Sequence, residues 1–451
     1  MTDAEWSYIF KKGPYPEGCR IPEETLAKLR YEFDYWYPMD LRCSGKDLIR
    51  NHLTMSLYNH AAVWDQDLSK MPRGYFCNGY VLVNGEKMSK SLGNFLTMRD
   101  CIERYGVDAT RVALADAGDT LDDANFDELV ANSAIQRLFI FERWIIEEIR
   151  KNVPETGLDY AHVPERDLWD QIFENEISYA IEQTTRCYAE IKYKQGLKHG
   201  FFEPQAAKED YLLGKGTKHR VNPFLLLRFI ETQLILLNPI TPHFAEYCWE
   251  THVRPVLERA KNLNRPGVSG RLIDQGWPQV EKPFDPLTRR MYDYVKSVKS
   301  NVRLAQDKAR GGGKKAKAPA KGSAPEAPLE NVHVFIAGEY PDWQKQVLEL
   351  LAGLEWDANN QLAAGANAYV AAVKEKISGP KAGLAMKFAA FTVKEAAVVG
   401  KDLALEVKVP FNEAALIQEN NDFIFSNAVG VKNVKVISLE QDPEGDKAAR
   451  E

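Results

Sequence analysis

The residues best suited to chemistry in this chain are the lysines and serines of the segment Lys87-Met88-Ser89-Lys90-Ser91. Its two ammonium groups, its hydroxyls and its freed backbone N–H groups are the donors that a polyphosphate accepts. The alternating run Tyr80-Val81-Leu82-Val83 predicts a strand before the segment, and Asn84-Gly85 predicts a tight turn. The alternative is a solvated turn that happens to carry lysines. The intact segment, followed closely by Gly93-Asn94, is much rarer than such a turn and favours a mobile phosphate-binding loop.

Length and charge limit the classes of protein to consider. The 451 residues predict about two to four domains, at roughly 100–200 residues per domain. A hydrophobic content of 45% and a charged content of 27% are typical of a soluble globular protein. The net charge of −6 argues against a protein that coats nucleic acid without preference, although it leaves room for a local basic groove. We find no run of about 18 apolar residues and no apolar signal segment, so we expect a cytoplasmic protein with no membrane partner.

The cysteines indicate a reducing compartment. The six of them are scattered, with no Cys-x-x-Cys pair and no histidine at zinc-finger spacing: Cys19, Cys43, Cys77, Cys101, Cys187 and Cys248. In a chain of this size we expect reduced, mostly buried thiols and no structural zinc site.

The first part of the chain predicts an α/β arrangement. Residues 1–40 are rich in aromatic residues and prolines, with one expected helix at 23–32, and resemble the end of a domain rather than its beginning. Residues 40–118 then alternate between strand and helix patterns, including an expected helix at 48–64. A capping box, Thr97 with Asp100, predicts a helix that ends at Gly106, and Asp108 is expected to cap the next helix, which ends at Gly118. This alternation implies a parallel sheet with ligands at the carboxyl ends of its strands.

The remaining sequence predicts three further parts. Long helical patterns indicate an α-bundle within 125–309, with expected helices at 126–151, 166–195, 221–238, 242–260 and 286–309. Residues 310–328 lack aromatic and large aliphatic side chains and predict a flexible basic tether, which could be a spacer or a weak phosphate-attracting arm. A small α+β domain should follow, with strands at 332–336, 403–409 and 434–436, helices near 342–356 and 411–420, and a disordered last ten residues.

Several segments together resemble the leucyl-tRNA synthetases of the archaeal and eukaryotic cytosolic type, which are class I enzymes. The resemblance covers nearly the whole chain, and its matching segments are 33–38, 40–42, 44–49, 51–53, 85–97, 113–120, 123–126, 200–202 and 241–243. The segment at 87–91 alone indicates only class I. The segments Ser44-Gly45-Lys46-Asp47-Leu48-Ile49 and Ala113 to Thr120 narrow the resemblance to the leucine enzyme and disfavour a sibling synthetase for valine, isoleucine or methionine.

The resemblance implies a multidomain fold and a reaction. The expected parts are the later portion of a Rossmann-like catalytic domain with the stem region at 1–124, an all-α anticodon-binding-type bundle at 125–309, a linker at 310–329, and a small α+β domain at 330–451. In the implied reaction, leucine and ATP form leucyl-adenylate and pyrophosphate, and the leucyl group then moves to the 3′ end of leucine tRNA. Mg²⁺ would be held largely by the phosphates, so no metal-binding residues are assigned. A multi-synthetase complex is a further partner that the resemblance allows.

The resemblance also assigns roles to residues. Lys90, with Lys87, is expected to stabilise the charge on the departing pyrophosphate, and the loop between Gly85 and Gly93 is expected to close over ATP and reopen. The full set of expected nucleotide-binding residues is Lys87, Met88, Ser89, Lys90, Ser91, Gly45, Asp47 and His52.

Three of these assignments have structural alternatives. Gly45 permits close approach of the nucleotide to the backbone. Asp47 is expected either to accept from the ribose hydroxyls or to serve as a helix N-cap. His52 is expected either to reach the adenine side or to be an ordinary histidine on a helix surface. The acidic residues Asp116, Asp119, Asp122 and Asp123 suit a metal, but capping of helices and shaping of the stem region is the preferred interpretation.

Two features of the family are missing from the chain. Its eight histidines contain no His-x-Gly-His pair, and no inserted editing domain is present. We therefore expect a fragment that does not activate leucine alone and that exposes apolar surface, with poor solubility. The competing hypothesis is a non-catalytic tRNA-binding module, although such a module has no reason to retain the segment at 87–91.

Overall fold

The structure is a computed structural model that describes residues 1–65, 67–89, 91–216, 219–309, 331–426, 431 and 433–439. Lys90, the predicted tether at 310–329 and the last ten residues of the chain lie outside these ranges. The chain divides into two compact units. Unit 1 comprises residues 1–142, 187–197 and 240–244, and unit 2 comprises residues 143–186, 198–239 and 245–451. Within the ranges described, no helix has the length and apolar character needed to cross a membrane.

Helices dominate both units. In chain order the α-helices are α1 (Asp3–Phe10), α2 (Glu23–Trp36), α3 (Thr54–Val63), α4 (Met98–Tyr105), α5 (Val107–Ala117), α6 (Glu128–Asn152), α7 (Leu168–Ala189), α8 (Tyr193–Leu197), α9 (Glu203–Lys215) and α10 (Pro223–Leu237). The chain continues with α11 (Pro242–Cys248), α12 (Arg254–Glu258), α13 (Pro286–Ala309), α14 (Asp342–Ala352), α15 (Ala366–Lys376), α16 (Ala382–Val399), α17 (Lys401–Ala404), α18 (Glu413–Glu419) and α19 (Asn421–Ile424). The helices expected at 126–151, 221–238 and 286–309 are confirmed as α6, α10 and α13. The helix expected at 166–195 is divided into α7 and α8, and the one expected at 242–260 consists of α11 and α12 with a π-helical turn, Trp249–Val253, between them. The predicted domain boundaries remain predictions.

The strands of unit 1 form two small sheets rather than one continuous sheet. They are β1 (Arg42–Gly45), β2 (Tyr75–Asn78), β3 (Val81–Val83), β4 (Glu86–Lys87) and β5 (Ala124–Phe126). Strands β1 and β2 pair in parallel, and β3 pairs in parallel with β5 and antiparallel with β4. The expected parallel pairing is therefore present, with β4 as an antiparallel addition.

Residues 1–40 contain one helix that the composition did not predict. Helix α1 begins after Thr2, whose hydroxyl accepts from the Glu5 N–H while the Glu5 carboxylate accepts from the Thr2 N–H. This capping box is readable in the sequence as Thr-x-x-Glu. Helix α1 packs on α2 through a small core of Tyr8, Ile9 and Leu26.

The helix ends around α4 and α5 partly follow the prediction. The Thr97–Asp100 capping box is present, and α4 ends at Gly106, whose φ is +77°. Asp108 does not cap α5, because Gly106 occupies the N-cap position. Its carboxylate instead accepts from the backbone N–H of Phe244 at 2.6 Å, in the first turn of α11. Asp119 likewise accepts from the Lys194 N–H at 3.0 Å in the first turn of α8, so the capping role expected for Asp119 is confirmed.

The C-terminal part of unit 2 differs from its prediction in the middle. Strands β6 (Asn331–Ile336) and β7 (Asn433–Ser438) pair in parallel, which confirms the first and last predicted strands. The predicted strand at 403–409 is wrong. Its first residues form α17, the Leu405 N–H donates to the Lys401 carbonyl, and Arg290 donates to the Leu403 carbonyl. Helical turns and a buried arginine thus use the backbone groups that a strand would have offered to a neighbour.

The expectation of mostly buried thiols is also wrong. None of the six cysteines forms a disulfide, but only Cys187 and Cys248 are buried, and Cys43 is exposed. Three others are intermediate in exposure.

A buried cation stabilises unit 2. Lys215 has a side chain that is only 2% exposed, and its ammonium group lies 2.7 Å from carboxylate oxygens of both Asp167 and Asp170. The Tyr211 hydroxyl donates to Asp170 at 2.7 Å, and the Asn222 N–H donates to that hydroxyl at 3.0 Å. This network joins the beginning of α7, the end of α9 and the N-cap of α10.

Replacing Lys215 with alanine should destabilise unit 2 by about 3 kcal/mol, because two carboxylates lose the cation that compensates them in a buried site. Urea unfolding followed by tryptophan fluorescence measures the loss. The matched control is Lys374→Ala on an exposed face of α15, which should change the free energy of unfolding by less than about 0.5 kcal/mol. Equal effects of the two substitutions would contradict this account.

Large apolar side chains are exposed on α2 and α3 of unit 1: Tyr31, Tyr35, Trp36, Met55 and Tyr58. Trp36 is 71% exposed and Tyr58 68% exposed. We therefore expect the isolated chain to self-associate as its concentration rises. Static light scattering over a concentration series tests this, and a constant monomeric mass at high concentration would contradict it.

Candidate active site

The loop that carries the lysine segment begins with a hairpin. Asn84 and Gly85 both have positive φ, +52° and +85°, the conformation of a two-residue hairpin turn. Two contacts with β5 hold this turn, since the Asn84 N–H donates to the Phe126 carbonyl at 3.0 Å and the Gly85 N–H donates to the Asn125 amide oxygen at 2.6 Å. Lys87, on the second arm, is paired in register with Leu82. Its backbone position is therefore set by three strands.

Asn94 closes the loop that follows. Its side-chain oxygen accepts from the Ser89 N–H at 2.8 Å, and its side-chain nitrogen donates to the Lys87 carbonyl at 3.1 Å. The hydroxyls of Ser89 and Ser91 lie 2.7 Å apart. Gly93, with φ at +68°, makes the reversal that brings Asn94 back to the loop. Lys90 lies outside the described residues, so its predicted role remains a prediction.

The Tyr80 ring brings two lysines together. The Lys87 ammonium lies 4.2 Å from the ring centroid, and the Lys46 ammonium lies 5.1 Å from it. Lys46 also forms an ion pair with Asp123 at 2.6 Å, and Asp123 accepts from the Tyr80 N–H at 2.8 Å. The hydrogen bond from Lys46 is the main cause that lowers the pKa of the Asp123 carboxyl, and the hydrogen bond from the Tyr80 N–H is the second. The hydrogen bond with Asp123 in turn raises the pKa of Lys46. The predicted phosphate-binding loop and the segment that contains Gly45 and Asp47 thus meet at one tyrosine.

Gly45 and Asp47 lie immediately beside this cluster. Gly45, in an extended conformation, occupies the N-cap position of a short 3-10 turn, Lys46–Leu48, so the prediction of Asp47 as a helix N-cap is wrong. A Cβ atom at Gly45 would lie 2.7 Å from the Asp47 carboxylate oxygen, so the glycine makes room for that side chain. Asp47 is exposed, and in the ranges described its carboxylate accepts no hydrogen bond. It is therefore accessible to a ligand.

His52 lies on an exposed helical surface. Its Nε2 atom is 2.7 Å from the guanidinium of Arg42. In the described part of the chain, no contact joins His52 to the loop at 87–94. The structure brings Lys87 together with the 45–47 segment but does not bring His52 to them.

Sequence reasoning missed four residues of this arrangement: Lys46, Tyr80, Asn94 and Asp123. Two of them had a local signal, because Lys46 lies between Gly45 and Asp47 and Asn94 directly follows Gly93. Asp123 had none, because its contact with Lys46 depends on the pairing of Val81 with Ala124 across two strands. Asp123 is an ion-pair partner rather than a helix cap. Among the described residues, no group of three or more His, Cys, Asp or Glu side chains is placed to hold a metal ion.

Comparison with known proteins identifies the chain's relatives. Residues 27–133 match the family model of the class I (C) tRNA synthetase catalytic domain, and residues 170–318 match that of the anticodon-binding domain of tRNA ligases. The cytoplasmic leucine–tRNA ligase of Arabidopsis thaliana is 36% identical over 458 residues, covering 98% of this chain and 39% of that protein. The cytoplasmic leucine–tRNA ligase of Saccharomyces cerevisiae is 39% identical over 354 residues, covering 78% of this chain and 30% of that protein. The chain belongs to the leucyl-tRNA synthetase family.

This membership confirms the resemblance and the expected succession of a class I catalytic portion and an anticodon-binding domain. The chain spans between 30 and 39% of the length of these two leucine–tRNA ligases. Among solved structures, the LeuRS chain of an Agrobacterium radiobacter complex with tRNA aligns at a TM-score of 0.42 and 19% identity, covering 62% of this chain and 33% of that one. That likeness is too weak to bear on function.

Replacing Asn94 with alanine should open the loop, because Ser89 loses its acceptor and the Lys87 carbonyl loses its donor. We expect amide exchange across residues 87–94 to accelerate by about tenfold, corresponding to roughly 1.4 kcal/mol for two neutral hydrogen bonds in an exposed loop. Hydrogen exchange with mass spectrometry measures this.

The graded control is Asn94→Asp, which keeps the acceptor for Ser89 and removes only the donor to Lys87. Its exchange should fall between wild type and Asn94→Ala. A loop that exchanges equally fast in all three proteins would contradict the closing role of Asn94.

Proposed function

We propose that the chain takes part in the ATP-dependent activation of leucine and its transfer to leucine tRNA. The observation that carries this proposal is the meeting of Lys87 and the 45–47 segment at the Tyr80 ring. A positively charged loop and an exposed carboxylate beside a glycine lie at one place, and these groups suit the phosphates and the ribose of a nucleoside triphosphate. Family membership supports leucine and tRNA as the substrates.

The chemistry calls for charge stabilisation rather than covalent help. A leucine carboxylate oxygen attacks the α-phosphorus in line, the bond from that phosphorus to the bridging oxygen breaks, and pyrophosphate leaves with the electron pair. In this proposal Lys87 and Lys90 stabilise the developing negative charge, and the Ser89 and Ser91 hydroxyls and the Met88 backbone complete the contacts. Mg²⁺, bound mainly to phosphate oxygens, would neutralise further charge when present.

The remaining assignments concern the nucleoside. Asp47 would accept from the ribose hydroxyls, since its carboxylate is exposed and lies beside Gly45. His52 would lie towards the adenine, on the same chain segment. Gly85 and Gly93, both in the left-handed region, supply the two points about which the loop opens and closes.

The partners extend the proposal to the rest of the chain. The domains would be 1–124 for nucleotide chemistry, 125–309 for tRNA, 310–329 as a linker and 330–451 as a small C-terminal domain. The name "cytoplasmic" on the relatives supports a cytoplasmic location. Association with a multi-synthetase complex is a further proposal, which co-purification with other synthetases tests.

The affinity of the chain for magnesium pyrophosphate tests the role of the loop. Lys87→Ala and Lys90→Ala should each weaken binding about tenfold in isothermal titration, because each removes a charge-assisted contact worth roughly 1.5 kcal/mol. Lys374→Ala, on an exposed face of α15, is the charge-matched control and should leave the affinity unchanged. Wild-type affinity in both loop variants would contradict the proposal.

Leucine-dependent ATP–pyrophosphate exchange tests catalysis by the chain alone. We expect a background rate, because the 451 residues contain no His-x-Gly-His pair. A rate above background that is lost in Lys90→Ala would show that the chain suffices for activation.

The second candidate is a tRNA-binding module without catalysis, which the anticodon-binding match at 170–318 favours. It predicts salt-sensitive binding of leucine tRNA that neither ATP nor pyrophosphate changes. Binding of pyrophosphate that depends on Lys87 would decide against it.

A further inference from the structure

Lys46 and Lys87 approach the Tyr80 ring with different charge partners. Lys46 is already compensated by Asp123 at 2.6 Å. In the described ranges, no carboxylate lies within salt-bridge distance of Lys87, whose ammonium faces the ring at 4.2 Å. An aromatic face attracts a cation without neutralising it, so Lys87 is held in place with its full charge still available to an anion.

The backbone of Tyr80 is held on both sides. Its N–H donates to Asp123 at 2.8 Å, and its carbonyl accepts from the Ala124 N–H at 2.9 Å. The preceding Gly79 donates to the Thr120 carbonyl at 3.1 Å. A Cβ atom at Gly79 would lie 2.2 Å from the Asp122 carbonyl oxygen, so only glycine permits this approach. The ring therefore stands on a fixed backbone.

We propose that Tyr80 is a positioning residue for Lys87. Its ring sets where the ammonium group lies, and the ion pair with Lys46 keeps the Asp123 carboxylate occupied, so that Asp123 does not capture Lys87. This inference rests on the proposed function of the loop as a polyphosphate site. It adds to that function a residue outside the lysine segment, which prepares one of its cations before the anion arrives.

Two substitutions of Tyr80 separate the ring from the hydroxyl. Tyr80→Phe keeps the aromatic face, and Tyr80→Leu removes it while retaining an apolar side chain in the strand-forming run. Tyr80→Leu should weaken magnesium pyrophosphate binding about two- to fivefold, the range expected for one exposed cation–π contact, and Tyr80→Phe should bind like wild type.

A second readout follows the lysine itself. Trace acetylation with mass spectrometry gives the reactivity of the Lys87 amine relative to Lys374. Reactivity at Lys87 should rise in Tyr80→Leu and stay at the wild-type value in Tyr80→Phe, whereas a merely structural role for Tyr80 would not move Lys87 selectively. Hydrogen exchange at residues 81–83 reports whether β3 is intact.

The outcomes distinguish the two levels of the proposal. If Lys87→Ala weakens pyrophosphate binding while Tyr80→Leu binds and reacts like wild type, the positioning role is overturned and the loop assignment stands. If Tyr80→Phe loses as much affinity as Tyr80→Leu, the ring is not the operative group and the inference is again overturned. If Lys87→Ala leaves binding unchanged while Lys90→Ala weakens it, the positioning role is overturned and the loop assignment stands. If both variants bind like wild type, the loop assignment fails, and the inference fails with it.

Discussion

A cation stabilises a departing diphosphate only if it is fixed in place and still carries uncompensated charge. These two demands conflict, because a carboxylate that fixes a lysine also neutralises much of its field. In unit 1 the two demands are met by two different lysines. Lys46 forms an ion pair with Asp123, and Lys87 lies against the face of the Tyr80 ring. The pairing of β3 with β4 and β5 makes this arrangement possible, because it brings Tyr80, Lys87 and Asp123 to one edge of the sheet.

Unit 2 contains a lysine of the opposite kind, which is buried and fully compensated. Lys215 is enclosed and faces two aspartates, an arrangement in which the cation is fully compensated. Its ammonium group joins the ends of α7 and α9 and is not accessible to an anion. The contrast between Lys215 and Lys87 separates a structural lysine from one available for binding.

The sequence predicted what local patterns encode. The Asn84-Gly85 turn, the Thr97–Asp100 capping box and the helix expected at 221–238 all depend on residues within a few positions of one another, and all three are present. The lysine segment at 87–91 predicted a loop, and the structure shows Lys87 of that loop against the Tyr80 ring.

Features that depend on distant parts of the chain were not predictable. Apolar and polar residues alternate at 403–409 as in a strand. The first of these residues belong to α17, however, and the buried Arg290 donates to the Leu403 carbonyl. Asp108 lies where a cap for α5 is expected, yet its carboxylate accepts from the Phe244 N–H at the N-terminus of α11, more than a hundred residues away. The role of Asp123 likewise requires Lys46, in the turn that follows β1, and the pairing of β5 with β3. No local sequence pattern encodes either contact.

The availability of the Lys87 charge is measured directly by following the lysines while the anion binds. Reductive dimethylation with ¹³C retains the charge of each lysine and gives each an NMR signal, which substitution can assign. On titration with magnesium pyrophosphate, the signal of Lys87 should move with occupancy while that of Lys374 stays in place. A Lys87 signal that stays fixed while pyrophosphate binds and shifts other lysines would show that Lys87 does not meet the anion.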